Sequence, residues 1–218
     1  MRLQRLARLA GALGVLSGLA GCMDVAVDVK VKNMAEAEAV MTQTISAQFY
    51  PTIKASMGAD AGTPNALCAR FNGGTLTENA DGSATCTIVS EGGFANFSVD
   101  NGADKIDFTT PGPGLVRVAF PSRELTDGVM QATSKANHHG IPAEDANANG
   151  ASSEMKQEML TYFAGHFLTI TFSGGEITDT NMTLAADRQS AFEKIPFVDL
   201  INGTTRLPDE IYAVVRLD

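Results

Sequence analysis

The stretch MDVAVDVKVKNMAEAEAVMTQTI, Met23 to Ile45, decides the fold. Val25, Val27, Val29 and Val31 alternate with Ala26, Asp28, Lys30 and Lys32. A period of two places the valines on one side of a strand and the polar residues on the other, so this strand buries one face. Asn33-Met34 reads as a turn. Residues 35–45 carry mixed signals: Ala and Glu favour a helix, whereas the Thr/Ile end and the preceding turn favour a returning strand. The expectation is a strand, which makes residues 23–45 a hairpin and the fold one built on antiparallel pairing.

Upstream of the hairpin, Arg2, Arg5 and Arg8 precede an apolar, small-residue run from Leu9 to Leu19. Eleven residues fall short of the roughly 20 that span a bilayer and suit a signal-peptide core. The run ends in Leu19-Ala20-Gly21-Cys22, which resembles the bacterial lipobox. That resemblance implies cleavage before Cys22, a diacylglycerol on its sulfur and three acyl chains in a diderm bacterium, and more than one chain is what stable anchoring requires. The alternative is a soluble secretory signal cut near Ala20, leaving Cys22 a free thiol. Residues 1–21 are thus expected to be removed, and 22–218 to form one domain.

Residues 1–21 carry three arginines and no acid, so their loss takes the formal charge from −9 to −12. Such a surface excludes nucleic-acid binding through a basic patch and is repelled by anionic headgroups. Membrane attachment is therefore expected through the lipid alone. With Cys22 acylated, Cys68 and Cys86 remain, and two cysteines in an exported domain are most simply a disulfide. A metal pair or a redox pair is the alternative, though no CxxC spacing is present and no His lies near either cysteine.

Downstream, Ser46 opens an expected helix to about Met57, with Phe49, Ile53 and Met57 spaced by four. Residues 75–90 predict a hairpin turning at Ala80-Asp81-Gly82. Lys105–Thr109 and Leu115–Phe120 predict strands flanking Pro111-Gly112-Pro113-Gly114. A helix is expected from Pro121-Ser122 to about Ser134. Residues 135–151, rich in Asn, Ala, Gly and His without an apolar period, predict a flexible insertion. Ser152 or Ser153 starts a helix to about Ala164. Strands are expected at 168–172, 176–184, 190–197 and 211–217, with Gly174-Gly175 as a hairpin turn, forming a C-terminal antiparallel meander. The fold class is α+β: antiparallel sheets of hairpins with a few helices packed on one face.

No GxSxG, P-loop, Rossmann glycine pattern or HExxH is present. His138-His139 with Glu144 and Asp145 is the one metal-like cluster, but adjacent histidines on an extended chain point apart and chelate poorly. No metal or cofactor is expected. His166, after Gly165 at a helix end, suits a role against the helix dipole. The pairs Glu36/Glu38 and Asp209/Glu210 read as a solvent-facing strand pair and a helix or turn start. Asp179-Thr180-Asn181 reads as a turn or bulge in its strand, with a ligand contact as the alternative. Met155, Met159, Tyr162 and Phe163 form an apolar helical stripe: a core face, or an adaptable lipid-binding surface.

The layout CMDVAVDVKV, second strand, helix, and late LTITFSGGEITDTNMTL, over residues 22–57 and 167–200, resembles the LppM-like lipoprotein domain. The resemblance implies that domain's fold and a role in lipid or glycolipid binding, and it transfers no site residues. Family members follow the domain with a transmembrane helix, which this sequence lacks before Asp218; the cysteine pair and residues 135–151 are further departures. The expected function is a non-catalytic envelope module binding a lipid or other hydrophobic component. An envelope scaffold is the alternative. A hydrolase is the third reading and has only His138, His139 and His166 as imidazole bases. Met23 after the lipobox cysteine, rather than Asp, leans the location toward the outer membrane.

Overall fold

The computed structural model describes residues 23–56, 68, 74–94, 98–99, 104–122, 157 and 160–217. The leader, Cys22, the 135–151 insertion, and most of the two helices expected at 121–134 and 152–164 lie outside them.

The alternating valines form strand β1 (Met23–Val31), which turns back into β2 (Glu36–Ile45) with Met23 opposite Ile45 and Val31 opposite Ala37. The strand reading of residues 36–45 therefore prevails over helix propensity, because pairing with β1 buries Ala37, Ala39 and Ile45. The expected hairpin at 75–90 is β3 (Thr75–Glu78) with β4 (Ala84–Gly93), and β4 pairs along the whole of β2. At its tip Asp81 Oδ1 accepts the Ser83 N–H at 2.9 Å and the Ser83 hydroxyl at 2.7 Å. Between these hairpins the chain forms α1 (Tyr50–Ser56), entered through a turn at residues 47–49 in which the Ser46 carbonyl accepts the Phe49 and Tyr50 N–H groups.

The remaining strands are the short ladder β5 (Ser98–Val99) and β6 (Asp104–Lys105), then β7 (Asp107–Gly112), β8 (Leu115–Pro121) and β9 (Phe167–Ser173). After them come β10 (Glu176–Thr180), β11 (Thr183–Leu184), β12 (Ser190–Pro196), α2 (Phe197–Asn202) and β13 (Glu210–Arg216). One sheet has seven strands in the order β11-β12-β9-β1-β2-β4-β3, and a second has four in the order β10-β13-β8-β7. The class is broadly α+β.

Two expectations are corrected. The C-terminal strands do not form a meander in one sheet, and the pairing is not wholly antiparallel. β9 runs parallel to β1, with Val25 opposite Leu168 and Val29 opposite Phe172. Backbone pairing along the β1 edge satisfies both strands, and the apolar side of β9 (Leu168, Ile170, Phe172) continues the buried face of the valines, so the large sheet is mixed. Gly174-Gly175 is accordingly not a hairpin turn. It is the corner where the chain leaves the seven-stranded sheet, and β10 pairs with β13 in the other one. The backbone comes so close here that a Cβ on Gly174 (φ 124°) would sit 2.1 Å from the Val31 carbonyl oxygen.

Other departures are local. The strand expected at 176–184 splits at Asn181-Met182, where Met182 is buried in the core and the Asn181 side chain bonds the β13 backbone at Glu210 and Tyr212. A register shift between Ile177 and Asp179 adds a bulge, in keeping with the turn-or-bulge reading of this stretch. Pro111 and Gly112 belong to β7, leaving Pro113-Gly114 as the turn. Glu210 opens β13 rather than a helix or turn.

The inner faces of the two sheets meet in one core. Val27, Val29, Val31, Ile170, Phe172 and Ile195 of the large sheet pack with Val116, Val118, Ile177, Ile211 and Val215 of the small one. A second cluster lies beyond the end of the small sheet. There Ile45, Tyr50, Ile53 and Ala84 surround the Cys68–Cys86 disulfide, whose Cα atoms are 5.5 Å apart. The expected pairing is present, and both cysteines are fully buried.

Candidate functional site

The outer face of the seven-stranded sheet carries an open groove of about 330 Å³ at the start of β1. Its construction follows from register. The alternation that buries Val27 and Val29, with Val25 half-buried on the same side, turns Asp24 and Ala26 outward. Antiparallel pairing sets Thr44 opposite Asp24 and Thr42 opposite Ala26. Parallel pairing sets Thr169 opposite Ala26, and Lys194 lies opposite Thr169. The row Thr42–Ala26–Thr169–Lys194 thus crosses four strands, and its shortest side chain, Ala26, leaves the hollow. Phe167 and the side-chain-free Gly165 complete the rim.

The charges in the groove are few. Asp24 Oδ1 accepts the Phe167 backbone N–H at 2.9 Å, tying β1 to the start of β9. The same oxygen lies 3.4 Å from His166 Nδ1. That nitrogen is buried and makes no hydrogen bond. Lys194 Nζ stands 3.8 Å from the centroid of the Phe167 ring, a cation–π contact. Among the described residues no carboxylate pairs with Lys194. His166 follows a helix end and meets it through its backbone, while its imidazole faces Asp24. Its N–H bonds the Phe163 carbonyl at 3.0 Å after Gly165, which has φ 83°. Its own carbonyl accepts the Phe197 N–H.

The stripe proposed from sequence divides. Met155 and Met159 lie outside the described residues. Phe163 is 7% exposed and packs on Phe197 with ring centroids 5.2 Å apart, a core contact. Tyr162 is 41% exposed, its ring edge-on to Phe49 at 5.6 Å. His138, His139, Glu144 and Asp145 also fall outside the description. Among the described residues no group of three His, Cys, Asp or Glu side chains is placed to hold a metal. Glu38 lies opposite Lys30 and Glu91, and Lys32 pairs with Glu91, so the Glu36/Glu38 end of the sheet is a network of solvated ion pairs. Asp179 accepts the Tyr212 hydroxyl at 3.2 Å, which pushes that phenol above its ordinary range, and Arg117 covers the Tyr212 ring at 4.4 Å. These partners occupy one another and leave a structural cluster on the small sheet.

Asp24, Thr42, Thr44, Thr169 and Lys194 were not singled out by sequence reasoning. Each reads as an ordinary outward position of its own strand, and only the β2-β1-β9-β12 order brings them together. The groove offers one cation, one carboxylate and several hydroxyls over a small apolar floor. That set suits recognition of a polar or amphipathic group.

The fold and this groove define a two-sheet α+β domain with an open groove on the outer face of its larger sheet. No family model matches the chain, and no curated protein matches it. Among solved structures it is similar to the NMR structure of the folded domain of the Mycobacterium tuberculosis LppM protein, at 10% identity and a TM-score of 0.41 over 90% of each chain.

Proposed function

We propose that this chain is an extracytoplasmic envelope protein anchored by lipid on Cys22, and that its groove binds an amphipathic membrane component without catalysis. The observation that carries the reading is the position of the groove. Asp24 and Ala26 line it two and four residues after Cys22. At about 3.3 Å per strand residue, that is at most roughly 7–13 Å from the anchor, beside the outer edge of a leaflet's headgroup layer of about 5–7 Å. A lipid on Cys22 would hold the groove next to the headgroups. The lipid anchor rests on the Leu19-Ala20-Gly21-Cys22 resemblance; among the described residues no helix is long and apolar enough to cross a membrane. The outer membrane is favoured over the inner one, and the acidic charge argues against a nucleic-acid partner.

Exposed Val89, at 61% on the outer face of β4, supports a second reading, a scaffold that presents this sheet to an envelope protein. Mass spectrometry of the mature protein, extracted gently from its own membranes, separates the two. The binding reading predicts a chain starting at acylated Cys22 and a discrete extra lipid mass that is lost on denaturation. A native spectrum without lipid favours the scaffold, and an unacylated chain refutes the anchor.

A further inference from the structure

We propose that the groove takes a zwitterionic phosphoethanolamine headgroup, with its phosphate at Lys194 and the neighbouring threonines and its ammonium at Asp24. The inference rests on the reading of the groove as a membrane-lipid site and adds the chemistry of the head. Two opposite charges line one hollow without neutralising each other. Lys194 contacts an aromatic ring rather than a carboxylate, and that ring belongs to the residue whose N–H binds Asp24. Asp24 uses Oδ1 for that bond and for His166, and Oδ2 has no partner among the described residues. Asp24 on β1 lies two strands across and two residues along from Lys194 on β12, about 12 Å between backbones, a gap their side chains shorten by leaning toward the hollow. A phosphate and an ammonium joined by two carbons fit between them once each is hydrogen-bonded to its partner.

The hydroxyls of Thr42 and Thr169 flank Ala26 and offer donors to phosphate oxygens. A primary ammonium donates to Asp24, whereas a phosphocholine head has no N–H to give. An anionic glycerol head would meet Lys194 but bring only hydroxyls to Asp24, in a chain of formal charge −12 after loss of its leader. The phosphate contact is common to all three heads, so the arrangement discriminates by the ammonium.

The test uses the lipidated mature protein in nanodiscs containing equal phosphatidylethanolamine, phosphatidylglycerol and phosphatidylcholine, with native mass spectrometry reading which lipid is retained. Exposed ion pairs predict a preference of about two- to fivefold for phosphatidylethanolamine over each of the others. Lys194→Gln should weaken retention of all three lipids, which share the phosphate. Asp24→Asn keeps an oxygen for the Phe167 N–H, so the strand junction survives, and it should abolish the preference for phosphatidylethanolamine over both of the others. Soluble glycerophosphoethanolamine should compete if the head carries recognition by itself; without competition, the source must be the bilayer lipid. Lipid retained without headgroup preference, a preference for phosphatidylglycerol, or an unchanged preference in Asp24→Asn overturns this assignment and leaves the lipid-site reading standing. No lipid of any kind overturns both.

Discussion

Replacing Gly174 by Ala tests the corner that joins the two sheets. Gly174 has φ 124°, which an L side chain rarely adopts, and its new Cβ would lie 2.1 Å from the Val31 carbonyl oxygen and 2.8 Å from the Val31 nitrogen. The strained backbone costs about 1–3 kcal/mol. Relieving the overlap needs roughly an ångström of movement by buried β1 backbone. Loosening one or two bonds where β1 pairs with β9 adds about 1–3 kcal/mol. The sum is about 2–6 kcal/mol, or a fall in Tm of roughly 4–24 °C for a domain of this size. The control is Gly92→Ala in β4, where a Cβ meets nothing within 4 Å. It should be neutral or stabilise by up to about 1 kcal/mol. Urea and thermal unfolding followed by circular dichroism compare the three proteins. Had Gly174-Gly175 been a solvent-facing hairpin turn, only the positive-φ cost of about 1–2 kcal/mol would separate the two variants. Equal stability of Gly174→Ala and wild type would refute the corner and the parallel β1–β9 pairing it serves.

Other perturbations have defined outcomes. Reducing the Cys68–Cys86 bond, which closes a loop of 18 positions, should lower stability by about 3 kcal/mol, read as a shift in urea midpoint between oxidised and reduced protein. Glu193 lies opposite Ile170 on the inward side of β12, and burial pushes its carboxyl above the ordinary carboxylate range. A raised acid binds more protons folded than unfolded, so its contribution to stability falls as pH rises from about 4 through its folded value. Glu193→Gln should therefore be more stable than wild type at pH 7, with the gap closing below about pH 4. Glu78 has the opposite sign. Hydrogen bonds from Lys54 (2.6 Å) and Tyr50 (2.5 Å) hold it below the ordinary range, as the Ser83 hydroxyl and N–H do for Asp81. Their support is complete above about pH 4 and lost as pH falls through the depressed values, so Glu78→Gln should flatten the acid limb of a stability–pH curve.

Strand content was legible wherever one face is buried. The valines of β1, the Leu168–Ile170–Phe172 side of β9 and the Thr-flanked β4 each announce themselves by alternation. Partnering was legible only for neighbours in sequence, because a turn such as Asn33-Met34 or Asp81-Gly82 brings its own strands together. The β1–β9 pair is separated by more than 130 residues, and no local signal marks it. Gly174-Gly175 illustrates the ambiguity: a glycine pair between two strands reads as a turn whether the chain folds back on its own sheet or crosses to another. The groove inherits this difficulty. Ala26, Thr42, Thr169 and Lys194 are unremarkable residues on four strands, and their meeting is a property of strand order. The disulfide was legible because only one pairing of Cys68 and Cys86 exists once Cys22 is set aside.

The most direct measurement places wild type beside Ala26→Trp, which fills the groove floor from an outward strand position without touching the core. Both are extracted gently from membranes and weighed intact under native conditions. The account predicts a discrete lipid mass on the wild type that is absent from the variant, with equal acylation and equal thermal stability. A wild type carrying no lipid, or a variant carrying as much as wild type, would contradict the assignment of the groove as the binding site.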